Sequence, residues 1–516
     1  MLLVVSVGGL LWAMPSSAAD IYVAQSAQGA DTGTDAANAH SVAWFNNSAN
    51  WGRASTQIGP GCTVHLCGTV TNSITFQTGG SVGNPITLLF EPNAKFSAPT
   101  WSGNIITAAA NITIDGDVNG VIEATANGTG LTYQNWCVGV CAESTSNLRI
   151  QNLTIRNMYV RTAGGDHSDN GIGIVDTPSV APFGYTNLVV TNCILHDMLM
   201  GISVNYGSGG CTNIYIRNNS ISNINWGIQC GDVSDYSVLD GLYIQNNIIG
   251  SFGVWDNPIT NSYHHNGAYG WTTYGNSKFY HATVSGNMVF GFGAYNTSGF
   301  FFSGGGPGAA YGMIGPIYVY NNIFNDPIGS PANGDIVFGP NAGFLGVVAN
   351  NDFFGNGPSV GLDWTALGTN NQNVLFFNNV VSNSLALAIF IKPVPDDWSS
   401  DYNDLASPSS GGSGGAWFSV SPDSNAGYQT LAAWRSYGYD QHSITVAPGF
   451  STGFIPSSGS LLVGAGTNLS GYFTTDYAGN PRPSTGKWTI GAFEPATIAP
   501  SLLSPPGQLK AIAPGQ

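Results

Sequence analysis

Charge is scarce in this 516-residue chain: Lys and Arg number 12, Asp and Glu 28, and together they make up 8% of the residues. A net formal charge of −16 with a pI near 4.5 leaves no basic face for nucleic acid. It also disfavours loose capture of an acidic polymer unless cations bridge it. Solubility therefore falls to Asn, Ser and Thr. Beyond residue 19 no run approaches the ~20 apolar residues that a membrane-spanning helix needs. There is no P-loop and no dinucleotide fingerprint after a strand. Two Gly-x-Ser-x-Gly strings, at residues 79–83 and 411–415, do not join a strand to a helix as a nucleophile elbow must, and read as loops. Cysteine is sparse at seven, an odd number. Cys62 with Cys67 and Cys137 with Cys141 are the close pairs, and nothing supplies a second pair at zinc spacing. Cys193, Cys211 and Cys230 read as small core hydrophobes. An amphipathic helical period is missing as well.

What the chain has instead is a repeat. An apolar residue, any residue and Asn recur as Ile150-Gln151-Asn152, Val190-Thr191-Asn192, Ile216-Arg217-Asn218, Ile244-Gln245-Asn246, Val319-Tyr320-Asn321, Val348-Ala349-Asn350 and Phe376-Phe377-Asn378, with Gly286 in the Asn position of Val284-Ser285-Gly286. Each unit opens on strict alternation, as in Ile214-Tyr215-Ile216-Arg217, which is the period-2 mark of a strand with one dry face. The intervals are too long for hairpins and hold no crossover helices. The solution left is an all-β parallel β-helix that buries Ile, Val and Leu in a central column. The second Asn of each pair (Asn219, Asn247, Asn287, Asn322, Asn351, Asn379) then falls at one corner of successive coils. Stacked at ~4.8 Å, these amides would bond to one another as a ladder.

On these repeats, from about Asn111 to Ser384, the chain resembles the right-handed parallel β-helix proteins of the pectate-lyase-like superfamily. Gly59-Pro60-Gly61-Cys62-Thr63-Val64-His65-Leu66 is similar to the opening stretch of that family. The resemblance implies the fold and a secreted bacterial protein; its members include polysaccharide lyases, glycoside hydrolases, epimerases, tailspikes and adhesins, so it leaves function to the site. The Asn-x-Asp, Asp-Asp and Gly-His-Gly set of polygalacturonases has no match here. Neither has the Lys/Arg base of pectate lyases.

The apolar run Leu2–Ala13, followed by Pro15-Ser16-Ser17-Ala18-Ala19, reads as a secretory signal peptide over residues 1–19, although no Lys or Arg follows Met1. The expected division is then an N-terminal cap with opening coils over 20–110, the β-helix core over 111–395, C-terminal coils and a capping segment over 396–494, and a Pro-rich tail over 495–516. In the C-terminal part Thr430–Arg435 reads as a short helix. Arg482 would pair with Asp476 or Glu494 while Ile490 and Phe493 cover the last coil.

Coil length points to the site. The second strand follows closely in two coils, at Gly201 after Asn192 and at Gly227 after Asn218. It comes much later at Gly171 after Asn152 and at Gly267 after Asn246. The two insertions leave at one corner and bring Arg161 and Asp166-His167-Ser168-Asp169-Asn170 in the first, and Trp255, Asp256 and Tyr263-His264-His265-Asn266 in the second. Two short coils separate them, so they would stand on the order of 14 Å apart at ~4.8 Å per coil. They would wall a groove floored by Met200, Asn225 and Trp226. Such a groove suits a polysaccharide or cell-surface glycan, with Arg161, Trp226, Trp255 and Tyr263 as binding residues. Asp166 and Asp169 would serve as a hydrolytic acid/base pair, with His167 beside them. Alternatively His264 or His265 would abstract a proton α to a uronate carboxylate, with Arg161 or an Asp-bound Ca²⁺ stabilising the charge. A competing reading makes Asp-His-Ser-Asp-Asn a self-bonded turn and the protein a non-catalytic adhesin or structural solenoid. Tyr215, Tyr243, Tyr318 and Tyr320, with Arg149, Arg217 and Gln245, form a second candidate surface that also reads as plain cross-strand packing.

Overall fold

The structure is a computed structural model. It describes residues 20–495 except 128–131, 134, 136, 159–170, 179–182, 253–264, 292–296, 305–311, 327–333, 340–343, 356–359, 364–371, 383–388, 393–396, 407–417, 421–427, 430 and 452. The sequence-predicted leader and Pro-rich tail lie outside these residues.

Each coil contributes a strand to three sheets in turn, as with Gly210–Arg217, Ser220–Ile224 and Trp226–Asp232. The next coil repeats the order with Val238–Gln245, Ile248–Phe252 and His265–Trp271. Pairing between coils is parallel, with Ile216 against Ile244, Ile221 against Ile249 and Ile228 against Ala268. Since right-handed crossovers prevail between parallel strands, the result is the right-handed parallel β-helix that the repeats predict. Coiling already begins at Asp20–Ala24, which pairs with Thr63–Cys67. No described helix is long and apolar enough to cross a membrane.

Ile216, Ile244, Val284, Val319 and Val348 stack inward at 0–1% exposure. The repeat's two Asn positions do different work. The first sits at a corner with positive φ, near 56° in Asn192, Asn218, Asn246, Asn321, Asn350 and Asn378, and Gly286 at +66° fills the same role. Asn and Gly tolerate this left-handed conformation best, which explains the exception in the pattern. The second Asn points inward and forms the ladder. In Asn287, Oδ1 accepts from the backbone N–H and the side-chain amide of Asn247 at 2.9 and 3.0 Å, while Nδ2 donates to Asn322 Oδ1 at 2.9 Å and to the Ile244 carbonyl at 2.9 Å. The ladder runs from Asn219 through Asn379 to Asn403, one rung beyond the expected series. It ends on Asp440, whose carboxylate also accepts from Ser400, Ser443 and Trp434. Trp434 belongs to the helix Leu431–Ser436 and is fully buried.

That helix packs against the core and its Trp434 meets the end of the ladder, which corrects the reading of Ile490 and Phe493 as cover for the last coil. The segment 465–494 instead runs back along the side of the solenoid. Asn321 Nδ2 donates to the Thr475 carbonyl, Asn350 Nδ2 to those of Thr489 and Gly491, and Asn378 Nδ2 to that of Thr467. Phe473 and Trp488 pack on Val347 and Ala349, Ile490 on Val380, and Phe493 on Ile323. Arg482 does pair with Glu494, at 2.8 Å, and also donates to Asn321 Oδ1, whereas Asp476 serves Asn480 and the backbone of Glu494. All seven cysteines are free, so neither close pair is a disulfide.

Two buried carboxyls stand in one outward column, Asp352 under this strap and Asp404 under the segment at Val446, separated by Val380. Each accepts one backbone hydrogen bond, from Ala492 and Val446 respectively, and each keeps a second buried oxygen without a partner among the described residues. Burial pushes Asp352 up to about 8, against the Ala492 hydrogen bond and the Arg482 charge, and pushes Asp404 up to about 7.

Two tests follow from this packing. Asn287→Ala strands the donors of Asn247 and is expected to cost about 1–3 kcal/mol, whereas Asn192→Gly, at an exposed left-handed corner, is expected to stay within ~0.5 kcal/mol; equal losses by denaturant melts would refute the division of labour. Because the fold holds Asp352 and Asp404 protonated above the ~3.9 of an unfolded aspartate, the folded chain binds more protons and stability declines as pH rises from about 4 to about 8. Asp352→Asn should flatten that decline, each carboxyl contributing a slope of up to about 1.4 kcal/mol per pH unit; an unaltered slope in urea melts across this range would show that the carboxyl is solvated.

Candidate functional site on the third sheet

The corner between the second and third sheets is where coils differ in length. It is closed by short turns between His196 and Met200 and between Ile224 and Trp226, and it opens into long connections between Arg156 and Ile172 and between Phe252 and His265. The two insertions thus leave at one corner with two short coils between them. Their residues Arg161, Asp166, His167, Asp169, Trp255, Tyr263 and His264 lie outside the described residues.

The floor is described. A column of glycines, Gly139, Gly173, Gly201, Gly227, Gly267 and Gly299, runs along the start of the third sheet. A Cβ at Gly201 would come within 2.6 Å of the Gly227 carbonyl and 2.8 Å of Ile221 Cγ2. No other residue fits where the backbone approaches so closely. The glycine also breaks the alternation, since register skips it in pairing Met200 with Trp226 and then Ile202 with Ile228. As a result Ile228 and Cys230 face the core while Gln229 faces out.

The outward rows are therefore Met200–Trp226–Asn266, Val175–Ser203–Gln229–Tyr269–Phe301 and Asn205–Gly231–Trp271. On the N-terminal side Val138, Cys141, Val175 and Ile172 form a small apolar cluster. Next comes a polar saddle: Ser203 Oγ donates to Gln229 Oε1 at 2.8 Å, and Gln229 Nε2 donates to Asn205 Oδ1 at 3.2 Å. Beyond it stand the aromatic rings. Trp226 lies 6.0 Å from Tyr269, and Tyr269 lies 4.5 Å from Trp271 and 5.2 Å from Phe301. Gly231 makes room for Trp271, because a Cβ there would overlap the indole. Trp226, Tyr269 and Trp271 are all half-buried, so part of each remains open to solvent.

Carboxylates near this floor are committed elsewhere. Asp176 points inward in the row of Val204 and Cys230, is 0% exposed, and accepts from Thr145. Burial holds its pKa well above the carboxylate range. Asp232 accepts from the backbone of Thr273 and Tyr274. Asp197 stands at the corner three residues before Met200. Burial pushes its carboxyl up, but the His196 ring at 2.5 Å and the Asn223 amide prevail and hold it below the usual range. His265 opens the strand His265–Trp271 at 5% exposure. Among the described residues no three His, Cys, Asp or Glu side chains are grouped to hold a metal ion.

Sequence reasoning named Met200, Asn225 and Trp226 as floor but missed Tyr269, Trp271, Phe301, Gln229, Ser203 and Asn205. The available signal was Tyr269-Gly270-Trp271 after Gly267, an alternating aromatic pair in the strand that follows the second insertion. The tyrosine surface on the first sheet resolves differently. Tyr215 and Tyr243 stack face to face, 4.8 Å apart at 8°, so each hides a ring face on the other, and Tyr320 is stacked on Phe473 of the strap. Tyr215 and Tyr243 thus pack across strands, and Tyr320 packs against the strap.

Gly231→Ala should displace Trp271 and alter the near-ultraviolet circular dichroism, at an overpacking cost of about 1–3 kcal/mol. A near-ultraviolet spectrum identical to the parent's would mean that the indole is not seated over this glycine.

No protein-family model matches the sequence, and no curated protein matches it. Among solved structures the chain is similar to the GH136 lacto-N-biosidase from Eubacterium ramulus. For the native protein the TM-score is 0.46 and the identity 14%, over 72% of this chain and 64% of that one; for the selenomethionine derivative the values are 0.41 and 15%, over 69% and 67%. It is also similar to pectate lyase Pel9A, with a TM-score of 0.38 and 16% identity over 93% of this chain and 97% of that one. The chain thus spans about two thirds of the biosidase, and likenesses at this level concern the backbone path and leave the reaction open.

Proposed function

We propose that the chain is a secreted β-helix protein that binds an extracellular polysaccharide along the outer face of its third sheet and cleaves it with residues of the flanking insertions. One observation supports this most: three half-buried aromatic side chains, Trp226, Tyr269 and Trp271, lie beside the amide and hydroxyl saddle of Ser203, Gln229 and Asn205. Aromatic rings take the apolar face of a pyranose and side-chain amides take its hydroxyls, a pairing of apolar wall with few placed polar groups that marks ligand sites.

Cleavage is assigned to the insertions because, of the carboxylates on the floor strands, Asp176 is buried and Asp232 is bonded to backbone, while Glu143 stands exposed at the far end of its strand. In hydrolysis, water adds across the glycosidic bond: one carboxylic acid protonates the leaving oxygen while a carboxylate takes the proton of the water, and Asp166 and Asp169 are the candidates. In elimination, His264 or His265 takes the proton α to a uronate carboxylate and the C4–oxygen bond breaks. A non-catalytic adhesin is the second reading, favoured by the absence of a paired acid and base among the described residues of the third sheet.

Screening the purified protein against a polysaccharide panel, with both reducing ends and unsaturated-uronate absorbance followed, tests this directly. Trp226→Ala and Trp271→Ala are expected to weaken binding roughly tenfold or more, about 1.4 kcal/mol. Asp169→Asn or His264→Ala should abolish turnover while the melting transition stays in place. Turnover unchanged in all four variants would put the site elsewhere, and binding without any turnover in the parent would favour the adhesin.

A further inference from the structure

We infer that the chain carries a binding site for a small oxyanion on its first sheet, apart from the third-sheet surface. A cleft of about 250 Å³ lies over the strands Ile112–Ala124, Leu148–Arg156 and Gly184–Thr191. One wall is the turn that holds Gly79–Gly83, the Gly-x-Ser-x-Gly string that makes no nucleophile elbow. Gly80 lies against the backbone of Asn111, where a Cβ would come within 2.6 Å of the Asn111 carbonyl, and Ser81 and Asn84 exchange backbone hydrogen bonds at 2.9 and 3.0 Å. The wall is thereby fixed to the sheet. Ser81, Asn111, Thr113, Asn147, Arg149 and Asn187 are the polar lining residues, and no acidic residue joins them.

Arg149 stands in the outward row between Thr113 and Val189. Its guanidinium is held in place without being neutralised. Nη1 donates to Gln151 Oε1 at 3.1 Å, and Gln151 Nε2 donates in turn to Asp115 Oδ2 at 2.7 Å, so an amide stands between the cation and the nearest carboxylate in the chain of bonds. Lys95 and Arg156 are paired with Glu123, and Arg482 with Glu494, whereas Arg149 has no ion-pair partner among the described residues.

The amides beside it point the same way chemically. Asn111, Asn147 and Asn187 occupy successive coils in the left-handed conformation, at φ of 55°, 59° and 61°. Asn187 Nδ2 donates to Asn147 Oδ1 at 2.8 Å, and Asn147 Nδ2 to Asn111 Oδ1 at 3.0 Å. Each amide donates toward the N-terminal end of the row. The acceptor of Asn111 is therefore taken, and its own N–H donors, beside the wall, have no partner among the described residues. A fixed guanidinium next to uncommitted amide donors matches an oxyanion, whose lone pairs accept from both at once. The cleft is smaller than the ~300–1,000 Å³ of sites for drug-sized ligands, so the anion is small. Carboxylate, sulfate and phosphate share this chemistry, whether free or carried on a sugar.

The test is calorimetry on the whole chain at neutral pH and low chloride. Sodium acetate, sulfate and phosphate supply the free ions, galacturonate and a galactose sulfate ester the sugar-borne ones, and galactose the uncharged control. The expected result is saturable binding of at least one oxyanion and none of galactose. That binding should weaken at least roughly tenfold in Arg149→Gln, and by less in Thr113→Val, which keeps the shape and removes one hydroxyl. Arg217→Gln, two coils further along the first sheet and outside the cleft, should bind as the parent does. Sugar-borne ions bound more tightly than free ones would support the site and identify a sugar acid or ester as its ligand; the reverse order would support it with the free ion as ligand. The inference is overturned if no oxyanion binds saturably, if galactose binds as tightly as its acid, if Arg149→Gln binds as the parent does, or if Arg149→Gln and Arg217→Gln lose binding equally.

Discussion

The buried amide ladder is the constraint on which the remainder depends. Each Asn side chain has two donors and two acceptor sites, and in Asn287 all four are used within the solenoid. A buried amide left partly unpaired costs more than a fully bonded one contributes. Every coil from Asn219 to Asn403 must therefore return its chain to one corner at one height. The neighbouring left-handed Asn makes the bend possible, and the Ile and Val columns follow because register is then set on both sides of it.

Fixing one corner frees another. Between the second and third sheets no ladder dictates length, and the glycine column keeps the backbones close whatever is inserted ahead of it. Connections there range from the single Asn225 to the long stretches after Arg156 and Phe252 without disturbing the pairing of Trp226 with Met200 or Asn266. The aromatic and amide groups of the third sheet consequently sit on the most regular part of the molecule, whatever the length of the connection ahead of them.

Much of this was legible in the sequence, because the interactions involved recur at each coil. The alternation in Ile214–Arg217, the Asn pairs and the unequal spacing of Gly201, Gly227 and Gly267 all repeat, and repetition makes weak local signals add. What stayed hidden does not repeat. The outward rows of the third sheet were obscured because the glycine shifts the alternation by one, so that Trp226 and Ile228 share parity and face opposite ways. Asp352 and Asp404 look like ordinary turn residues until the strap covers the first and the segment at Val446 the second. The strap's own contacts join Arg482 to Asn321 and Gly491 to Asn350, far apart in sequence and without a periodic trace.

Solenoids usually tolerate the gain or loss of a repeat, because each coil meets only its neighbours. This one carries a ruler. The hooks at Asn321, Asn350 and Asn378 stand one coil apart and meet fixed points of a single irregular segment, in the order Thr475, Gly491 with Thr489, and Thr467. Duplicating or deleting a coil between Asn321 and Asn378 would leave the local stacking intact and still throw the segment out of step with at least one hook. In the stretch it spans, the strap converts an open-ended architecture into one with a counted number of turns, so variation in length is channelled to coils nearer the N-terminus.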